Sequence, residues 1–374
     1  MKRWEISALQ SAMLIAGIVA LTGHALAVTH FVRAGGRDSW LSGVVAFPIG
    51  LLAFWSFVKL RRMFPGDTLV QFLPKILGYA GYLVAAIFVL YFFTVVVFTL
   101  RMTTDWMVDS ILPETPSWVM GVLYMAAVAY TAAGGLDVLA RVNQFTLPLL
   151  SGLGVLVSVG TLQAKDYHLL LPLFEKGYGP VLASAFLGLG YLGECSVLPM
   201  YDAYVVQGDY RKLMKVYFIA LVYIFITLTG PMAGSIATLG YRVALNMPYP
   251  TFQHWLMVNL TRFFERTDLL AVHQWLAGAY VRCGIYLLMG IQGIRQLTPA
   301  RKIPFNWLLA VFSLLTVGVS EYAWHSKPVF DQWVLDVYLP GGAFLGMFLP
   351  PLLLIVAWVR KLGRPNQGAQ TYGG

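Results

Sequence analysis

Long apolar stretches separated by polar connections dominate this chain. A transmembrane helix needs about 20 mainly apolar residues to cross a bilayer, and the sequence contains ten stretches of this kind. They cover residues 7–32, 41–59, 77–108, 117–133, 143–163, 179–205, 213–238, 270–294, 304–320 and 339–359. We therefore predict an all-α integral membrane protein with ten transmembrane spans, numbered 1 to 10 in this order.

Two connections are long enough to carry a pattern of their own. Residues 239–269 contain an amphipathic stretch, which predicts one or two short helices lying on the membrane surface. Residues 321–338 alternate aromatic and charged side chains, as interfacial segments do. The polar, glycine-rich residues 363–374 predict a disordered cytoplasmic tail. The remainder, residues 1–362, is expected to form a single transmembrane domain.

Composition and charge exclude several classes of protein. Hydrophobic residues make up 58% of the chain and charged residues only 11%, whereas soluble proteins carry roughly 25% charged residues. A soluble enzyme, a disordered scaffold and a nucleic-acid-binding domain are therefore excluded. The net charge of +9 reflects topology, because Lys and Arg concentrate in the connections on one side of the spans. By the positive-inside rule, both termini are predicted to be cytoplasmic.

The order of the spans is compatible with an internal repeat. Ten spans divide into two sets of five, at residues 7–163 and 179–359. Because five is odd, the second set crosses the bilayer in the opposite sense, as an inverted-topology repeat requires. In such folds, interrupted helices expose backbone N–H and C=O groups at a substrate site near the bilayer midplane. Spans 1 and 6, the first of each half, are therefore expected to be interrupted.

Glycines mark where these interruptions are expected. Span 1 contains Gly17 and Gly23, and span 6 contains Gly188, Gly190 and Gly193. Glycine costs a helix interior about 1 kcal/mol relative to alanine, so these positions are weak points. The alternative is that the glycines allow close helix packing, a common use of glycine in membranes. Their paired placement in the two halves favours the interruption.

Two charged residues fall deep inside predicted spans. Glu194 lies near the middle of span 6, and Arg282 lies at a similar depth in span 8. An ionised group at the bilayer centre costs about 2.5–3.5 kcal/mol on insertion scales, and an unpaired buried charge costs more than a pair. We expect Glu194 and Arg282 to be partners or to face a polar ligand together. The alternative is a brace between spans 6 and 8 that touches no ligand.

Motifs of other chemistry are missing from the sequence. There is no Walker phosphate loop, HExxH motif or GxSxG elbow, and no dense acidic or cysteine cluster for a metal. Cys195 and Cys283 lie in apolar runs, as buried thiols do. We therefore expect no enzyme activity, cofactor or metal.

Six short motifs together resemble the B subunits of spore germinant receptors, a branch of the amino acid–polyamine–organocation transporter superfamily. They are Arg37-Asp38-Ser39-Trp40; Arg101 with Leu112-Pro113-Glu114-Thr115-Pro116; Gly134-Gly135-Leu136 with Arg141; Leu171-Pro172 with Gly177-Tyr178-Gly179-Pro180; Gly193-Glu194; and Glu265-Arg266-Thr267-Asp268 with Trp275. Each motif alone has little specificity. Their order and spacing, from span 1 to span 8, make the combination specific.

The resemblance implies a leucine-transporter type of fold, a 5+5 inverted repeat with spans 1 and 6 broken at mid-membrane. It also implies a receptor subunit in the spore inner membrane that binds a small nutrient, often an amino acid. Germination would then be triggered through A and C partner subunits. A proton-coupled amino acid or amine transporter of the same superfamily is the alternative, since sensing and transport need the same pocket. A structural subunit with a vestigial pocket is a third.

The resemblance also implies a ligand pocket between spans 1 and 6, with spans 3 and 8 as walls. The candidate ligand-binding residues are Gly17, Ile18, Ala20, Thr22, Gly23, Val95, Gly190, Tyr191, Gly193, Glu194 and Arg282. His24 and Glu194 are candidates for proton transfer or gating, although a neutral, hydrogen-bonded histidine is the favoured interpretation of His24. Arg282 departs from the uncharged wall that the resemblance suggests. A cationic wall favours an anionic group, or requires Glu194 to neutralise it.

Overall fold

In a computed structural model, residues 4–25, 28–206, 210–258 and 267–362 are described, and they form an almost entirely helical bundle. An isolated parallel bridge between Ile6 and Val205 is the strand-like pairing within these ranges. The predicted tail, residues 363–374, lies outside the described residues.

Among the described residues, seven helical segments are long and apolar enough to cross a membrane. They are Val28–Met63, Tyr79–Ser110, Leu136–Gly160, Gly179–Tyr204, Arg211–Leu239, Phe305–Tyr322 and Lys327–Val359. Ala8–Ala20 and Ser117–Ala133 are shorter apolar helices. The prediction of a polytopic all-α membrane protein is confirmed.

In the first half of the chain, up to residue 160, the described residues form seven α-helices. They are α1 (Ala8–Ala25), α2 (Val28–Gly35), α3 (Ser42–Met63), α4 (Leu69–Leu77), α5 (Tyr79–Ser110), α6 (Ser117–Ala133) and α7 (Leu136–Gly160). The span prediction missed α4. Its signal in the sequence is a capping box, in which the Thr68 and Gln71 side chains and backbone groups bind each other reciprocally.

The second half adds ten helices among the described residues. They are α8 (Gly179–Leu192), α9 (Leu198–Tyr201), α10 (Tyr210–Leu239), α11 (Tyr241–Ala244), α12 (Pro250–Met257), α13 (Asp268–Leu297), α14 (Phe305–Tyr322), α15 (Lys327–Trp333), α16 (Leu339–Gly342) and α17 (Leu349–Val359). The short helices α11 and α12 lie in the connection predicted to carry surface helices. Its residues 259–266 lie outside the described residues.

The helices surround a buried central group. α1 packs on α7, α10 and α13, and α13 packs along α5. α8 packs on α2, α3 and α16. The segment containing α8 is mostly buried, whereas α7 is mostly exposed on the outside of the bundle. The first helix of each predicted half therefore lies inside the bundle, where a binding site between the halves requires it.

The described part of span 1 stays helical through both glycines at which an interruption was predicted. α1 continues through Gly17 and ends at Ala25, and α2 begins at Val28, with residues 26–27 outside the described residues. A Cβ atom added to Gly17 would collide with the side chain of Asn143 on α7. The expectation that Gly17 opens the helix was therefore wrong. Gly17 allows α1 to approach α7 closely.

Span 6 departs from α-helical geometry within the predicted window, but it stays coiled. α8 ends at Leu192, and a 3-10 turn (Gly193–Val197) follows before α9. Gly188 and Gly190 lie within regular helix. The expectation of uncoiled peptide groups at this depth is corrected for the described part of span 6, because a 3-10 turn is a tighter helix.

The glycines of span 6 pack against those of span 10. An added Cβ at Gly190 would lie 2.5 Å from the backbone oxygen of Leu339, and one at Gly193 would collide with the backbone of Gly342. Gly342 and Gly346, four residues apart, meet Gly190 and Gly193 in return. Small residues at this spacing let two helix backbones approach closely in a membrane. The packing role, given as the alternative above, therefore applies to span 6.

The segment 321–338 is not a separate interfacial segment. α15 and a π-helical turn (Val334–Tyr338) run directly into α16, and helical structure continues to Val359. Phe330 and Tyr338 are fully buried and stack on Phe98 with ring centroids 6.1 and 4.4 Å apart. The interfacial expectation was wrong for these rings because they bury large aromatic surfaces inside the bundle.

Candidate functional site

A buried ion pair joins the two charged residues that the sequence placed inside spans. Glu194 lies in the 3-10 turn after α8, and Arg282 lies in the middle of α13. The Arg282 guanidinium binds both carboxylate oxygens of Glu194, with Nη2 to Oε1 at 2.7 Å and Nη1 close to Oε2. Their side chains are 1% and 0% exposed. The two residues are therefore partners, as expected, in the bidentate geometry that suits guanidinium and carboxylate.

The Arg282 guanidinium also links α13 to three other parts of the bundle. Its Nε donates to the Thr99 hydroxyl on α5 at 2.6 Å. Nη1 donates to the backbone oxygen of Ile18 on α1 at 3.0 Å, and Nη2 donates to the Tyr338 hydroxyl at 3.1 Å. Arg282 thus connects span 8 to spans 1, 3 and 10 at one point.

Two tyrosines also donate hydrogen bonds to Glu194. The Tyr338 hydroxyl donates to Oε1 at 2.6 Å, and the Tyr286 hydroxyl donates to the backbone oxygen of Glu194 at 2.6 Å. A buried carbonyl without a donor is costly, so Tyr286 stabilises the 3-10 turn at this depth. We call Glu194, Arg282, Thr99, Tyr286 and Tyr338, together with the Ile18 carbonyl, the central site.

Burial makes the central site strongly dependent on its partners. Transferring an ion into a low-dielectric interior costs several kcal/mol. That cost is offset only where each charge meets an opposite charge and further hydrogen bonds, as Glu194 and Arg282 do. Removing either residue alone would leave the other charged and buried. The pair is therefore a point where a small chemical change has a large energetic effect.

Two tyrosine hydroxyls beside the central site have no hydrogen-bond partner among the described residues. They belong to Tyr91 on α5 and Tyr191 on α8. The Tyr91 ring lies against Tyr338 at 6.0 Å, and the Tyr191 ring lies against Phe98 at 6.3 Å. Buried hydroxyls normally have a partner, so each is available to a bound solute.

Three predicted ligand-binding residues meet directly in the central site: Ile18, Glu194 and Arg282. Tyr191 lies beside them through its contact with Phe98. Val95 is one layer further out, since its backbone oxygen accepts a hydrogen bond from Thr99 at 2.7 Å. The structure thus brings together the charged and aromatic candidates.

The small candidates lie elsewhere. Gly17 packs on Asn143, and Gly190 and Gly193 pack on span 10. Ala20 lines a cavity beside α7 and α10. Three further candidates, Thr22, Gly23 and His24, lie in α1, and the surroundings of their side chains or Cα atoms are outside the described residues.

The sequence prediction missed three polar partners, Thr99, Tyr286 and Tyr338. Tyr286 follows Arg282 by four residues, a spacing that places both on one helix face. That spacing could have identified it. Thr99 and Tyr338 carried no comparable signal, because hydroxyl groups are common in membrane helices and Tyr338 lay in a connection predicted to be interfacial.

A second polar cluster closes the bundle near the chain's N-terminus. The buried Asp202 carboxylate pairs with Arg61 of α3 and accepts a hydrogen bond from Tyr217 of α10. The Tyr217 hydroxyl also lies 2.6 Å from the Ser11 hydroxyl of α1. Ile6 bonds through its backbone to residues 204 and 206 at 3.1 and 3.0 Å. This N-terminal clamp ties the start of span 1 to the end of span 6.

Comparisons with known proteins agree with this architecture. Residues 5–323 match the family described as "Spore germination protein". Spore germination protein XB of Bacillus anthracis is 27% identical over 359 residues, covering 94% of this chain and 97% of that protein. Spore germination protein KB of Bacillus subtilis (strain 168) is 22% identical, covering 99% of each chain.

Two solved transporter structures share the fold. MhsT in complex with L-phenylalanine superposes with a TM-score of 0.59 at 17% identity, covering 96% of this chain and 99% of that chain. The nucleobase-cation-symport-1 transporter Mhp1, closed with bromovinylhydantoin bound, gives 0.60 at 13% identity, covering 96% and 94%. The leucine-transporter type of fold is thereby confirmed. With its family match across most of its length, the chain belongs to the spore germination protein family.

Proposed function

We propose that this protein is the membrane subunit of a spore germinant receptor, which binds a small nutrient at the central site and triggers germination through partner subunits. The observation that carries the proposal is the Glu194–Arg282 pair. The pair lies where spans 1, 3, 6, 8 and 10 meet. A ligand that enters between the two side chains would meet one anion and one cation. MhsT, which shares the fold, was solved with an amino acid bound.

A zwitterionic amino acid carries the same two charges as the pair. Its carboxylate would replace Glu194 at the Arg282 guanidinium, and its ammonium would replace Arg282 at the Glu194 carboxylate. Because the charges exchange one for one, no charge is left unpaired in the membrane. An unpaired buried charge would cost about 3–5 kcal/mol. The unpartnered hydroxyls of Tyr91 and Tyr191 would supply further hydrogen bonds.

Separating the pair would also change how the helices are connected. In the paired state Arg282 holds the Ile18 carbonyl of α1, and Tyr286 holds the Glu194 carbonyl of the 3-10 turn. A ligand that takes over the guanidinium changes these links and stabilises a different arrangement of spans 1 and 6. The N-terminal clamp joins the same two spans, so the shift would reach that end of the bundle. We propose that A and C subunits in the spore inner membrane detect it.

Binding to the purified protein tests the proposal. A thermal-shift panel of the twenty amino acids and common sugars should identify a stabilising nutrient, since a ligand of the folded state raises the unfolding temperature. Glu194→Gln with Arg282→Met removes both charges without stranding either, and this double variant should lose the response. Arg101→Met is the matched control, because it breaks the Arg101–Asp105 pair of α5 away from the central site.

The outcomes separate the alternatives. If the double variant folds and keeps the nutrient response, the pair is only a brace and the proposal fails. If no solute in the panel stabilises the wild-type protein, a scaffold with a vestigial pocket is favoured. Proteoliposomes that accumulate the radiolabelled nutrient, and lose it on adding an uncoupler, would instead favour a proton-coupled transporter.

A further inference from the structure

A second cavity lies away from the central site, under helix α12. Its lining comes from α7, α10, α12, α13 and the turn after α7. The space of about 70 Å³ adjoins one of about 320 Å³ that reaches Ala20 of α1, and the two share five lining residues. Together they lie in the lower part of the range of roughly 300–1,000 Å³ that is typical of small-molecule pockets. We call the combined space the α12 pocket.

The volume of the α12 pocket exists because glycines on two helices, α7 and α10, have no side chains to fill it. A Cβ atom at Gly230 of α10 would meet nothing within 4 Å, and one at Gly154 of α7 would meet only the Gln274 side chain, at 3.7 Å. At Gly234, a Cβ atom would touch only the His254 ring at 3.5 Å and the Lys165 side chain at 3.7 Å. These glycines therefore border open volume, unlike the tightly packed Gly190 and Gly193.

The polar end of the α12 pocket holds nitrogen atoms that lack partners. His254 and Trp275 are 6% and 7% exposed, and neither His254 Nε2 nor Trp275 Nε1 has a hydrogen-bond partner among the described residues. Leaving a buried polar group unsatisfied costs about 1–3 kcal/mol. Two such groups lining one cavity indicate that a bound molecule satisfies them.

The charge at this end is positive. The Lys165 ammonium donates to the backbone oxygen of Ser158 at 2.9 Å, which leaves further N–H groups of this three-donor side chain for a ligand. Burial, with the nearby Lys165 charge, lowers the pKa of His254 to about 4, so its imidazole is neutral near pH 7. No Asp or Glu is among the described lining residues. Within the described part of the chain, the pocket therefore offers nothing anionic to bind an ammonium group.

The rest of the α12 pocket is mainly apolar, with a few hydroxyl and amide side chains in its lining. Val157, Phe252, Trp255 and Ala271 line the polar end, and leucines with Ala20 and Pro231 line the adjoining space. A ligand that fits therefore has an anionic head and an apolar body.

We propose that the α12 pocket binds a carboxylate with an apolar body, its head held by Lys165, Trp275 and His254. This inference does not depend on the proposed nutrient site. Such a molecule has two sources, a small soluble carboxylic acid or a fatty acid of the bilayer. The second is feasible because Val155 and Ile226, at the rim, are exposed on the outside of the bundle.

Titration of the purified full-length protein in phosphatidylcholine nanodiscs tests this inference, with 3-phenylpropionate as the probe. The neutral 3-phenylpropionamide should bind with an affinity at least about tenfold lower than that of the acid, because it lacks the charge-assisted hydrogen bond. Lys165→Met should weaken binding of the acid by a similar factor, and Lys165→Arg should restore most of it. Gly230→Leu should abolish binding by filling the pocket.

Two control variants keep the result interpretable. Lys176→Met removes an exposed lysine, and Gly152→Leu adds the same side chain to α7 where nothing lies within 4 Å. Neither residue lines the pocket, so both should bind like wild type. Oleate that displaces the probe from wild type would identify a bilayer source, and oleate that does not would identify a soluble one. Equal affinity for acid and amide, or unchanged binding in both Lys165→Met and Gly230→Leu, would overturn the proposal.

Discussion

The central site and the α12 pocket are two buried polar regions that differ in how far their polar groups are hydrogen-bonded. In the central site Arg282 and Glu194 bind each other and three hydroxyl groups. In the α12 pocket, His254 and Trp275 keep nitrogen atoms without partners among the described residues. A ligand at the central site must displace protein groups, whereas a ligand of the pocket only adds to them. The first arrangement suits a conformational trigger, and the second suits occupancy without rearrangement.

The largest expected contrast is between the two cations. Arg282→Met leaves Glu194 charged and buried without its partner, so we expect it to destabilise the protein by about 3–5 kcal/mol. Lys165→Met removes a partly exposed ammonium, whose interactions are worth about 0–1 kcal/mol. Unfolding by heat or SDS in detergent micelles measures both. Equal losses would show that the Arg282–Glu194 pair does not dominate the stability of its region.

The second contrast is between glycines. Gly342→Ala places a Cβ atom against the backbone of Gly190, 2.5 Å from its oxygen, and neither backbone can move easily. We expect a loss near the upper end of the roughly 1–3 kcal/mol typical of overpacking. Gly152→Ala of α7 meets nothing within 4 Å and should stabilise α7 by up to about 1 kcal/mol.

A matched control for Gly342 lies next to it in the sequence. Gly341 shares the same helix, and a Cβ atom there meets nothing within 4 Å. Gly341→Ala should therefore unfold no earlier than wild type. If Gly341→Ala and Gly342→Ala are equally destabilising, helix geometry rather than the glycine crossing sets the cost.

Hydroxyl groups provide a third, smaller contrast. Tyr286→Phe removes the hydroxyl that donates to the Glu194 carbonyl, and we expect a loss of about 1–2 kcal/mol. Tyr191→Phe removes a hydroxyl that has no partner among the described residues, so stability should stay the same or rise. If Tyr191 contacts the nutrient, the same variant should weaken the nutrient's thermal shift. If Tyr191→Phe destabilises the protein, the Tyr191 hydroxyl has a hydrogen-bond partner within it, and this contrast between the two tyrosines fails.

The fold class was predictable because bilayer thickness fixes the length of apolar spans and hydrocarbon disfavours unpaired charge. The length of the apolar segments predicts the spans, and the cost of buried charge predicts that Glu194 and Arg282 pair or together face a polar ligand. Both inferences use properties that each residue carries wherever it lies. The positions of Tyr286 and Thr99 depend instead on which helix faces meet, and a single sequence does not specify this.

The sequence does not show whether a given glycine interrupts a helix or allows close packing. The same residue type weakens a helix and permits close packing, and the choice depends on the neighbour it meets. Gly193 does both, since it begins the 3-10 turn and contacts Gly342, whereas Gly17 only packs on Asn143. The α12 pocket was unpredictable for a related reason. Its glycines and Lys165 are separated by many residues, and their common position appears only when α7, α10 and α12 converge.

The smallest expected effect concerns Gly17 and tests how the central site works. Alanine at this position gains up to about 1 kcal/mol of helix propensity and displaces only the end of the Asn143 side chain. Asn143 has an unpartnered amide nitrogen among the described residues, so its side chain can move with little loss. We expect Gly17→Ala to change stability by less than about 1 kcal/mol and to leave the nutrient's thermal shift intact. If nutrient binding instead requires α1 to open at Gly17, this variant should fold normally yet lose the shift, and the ion pair would then be secondary to a break in span 1.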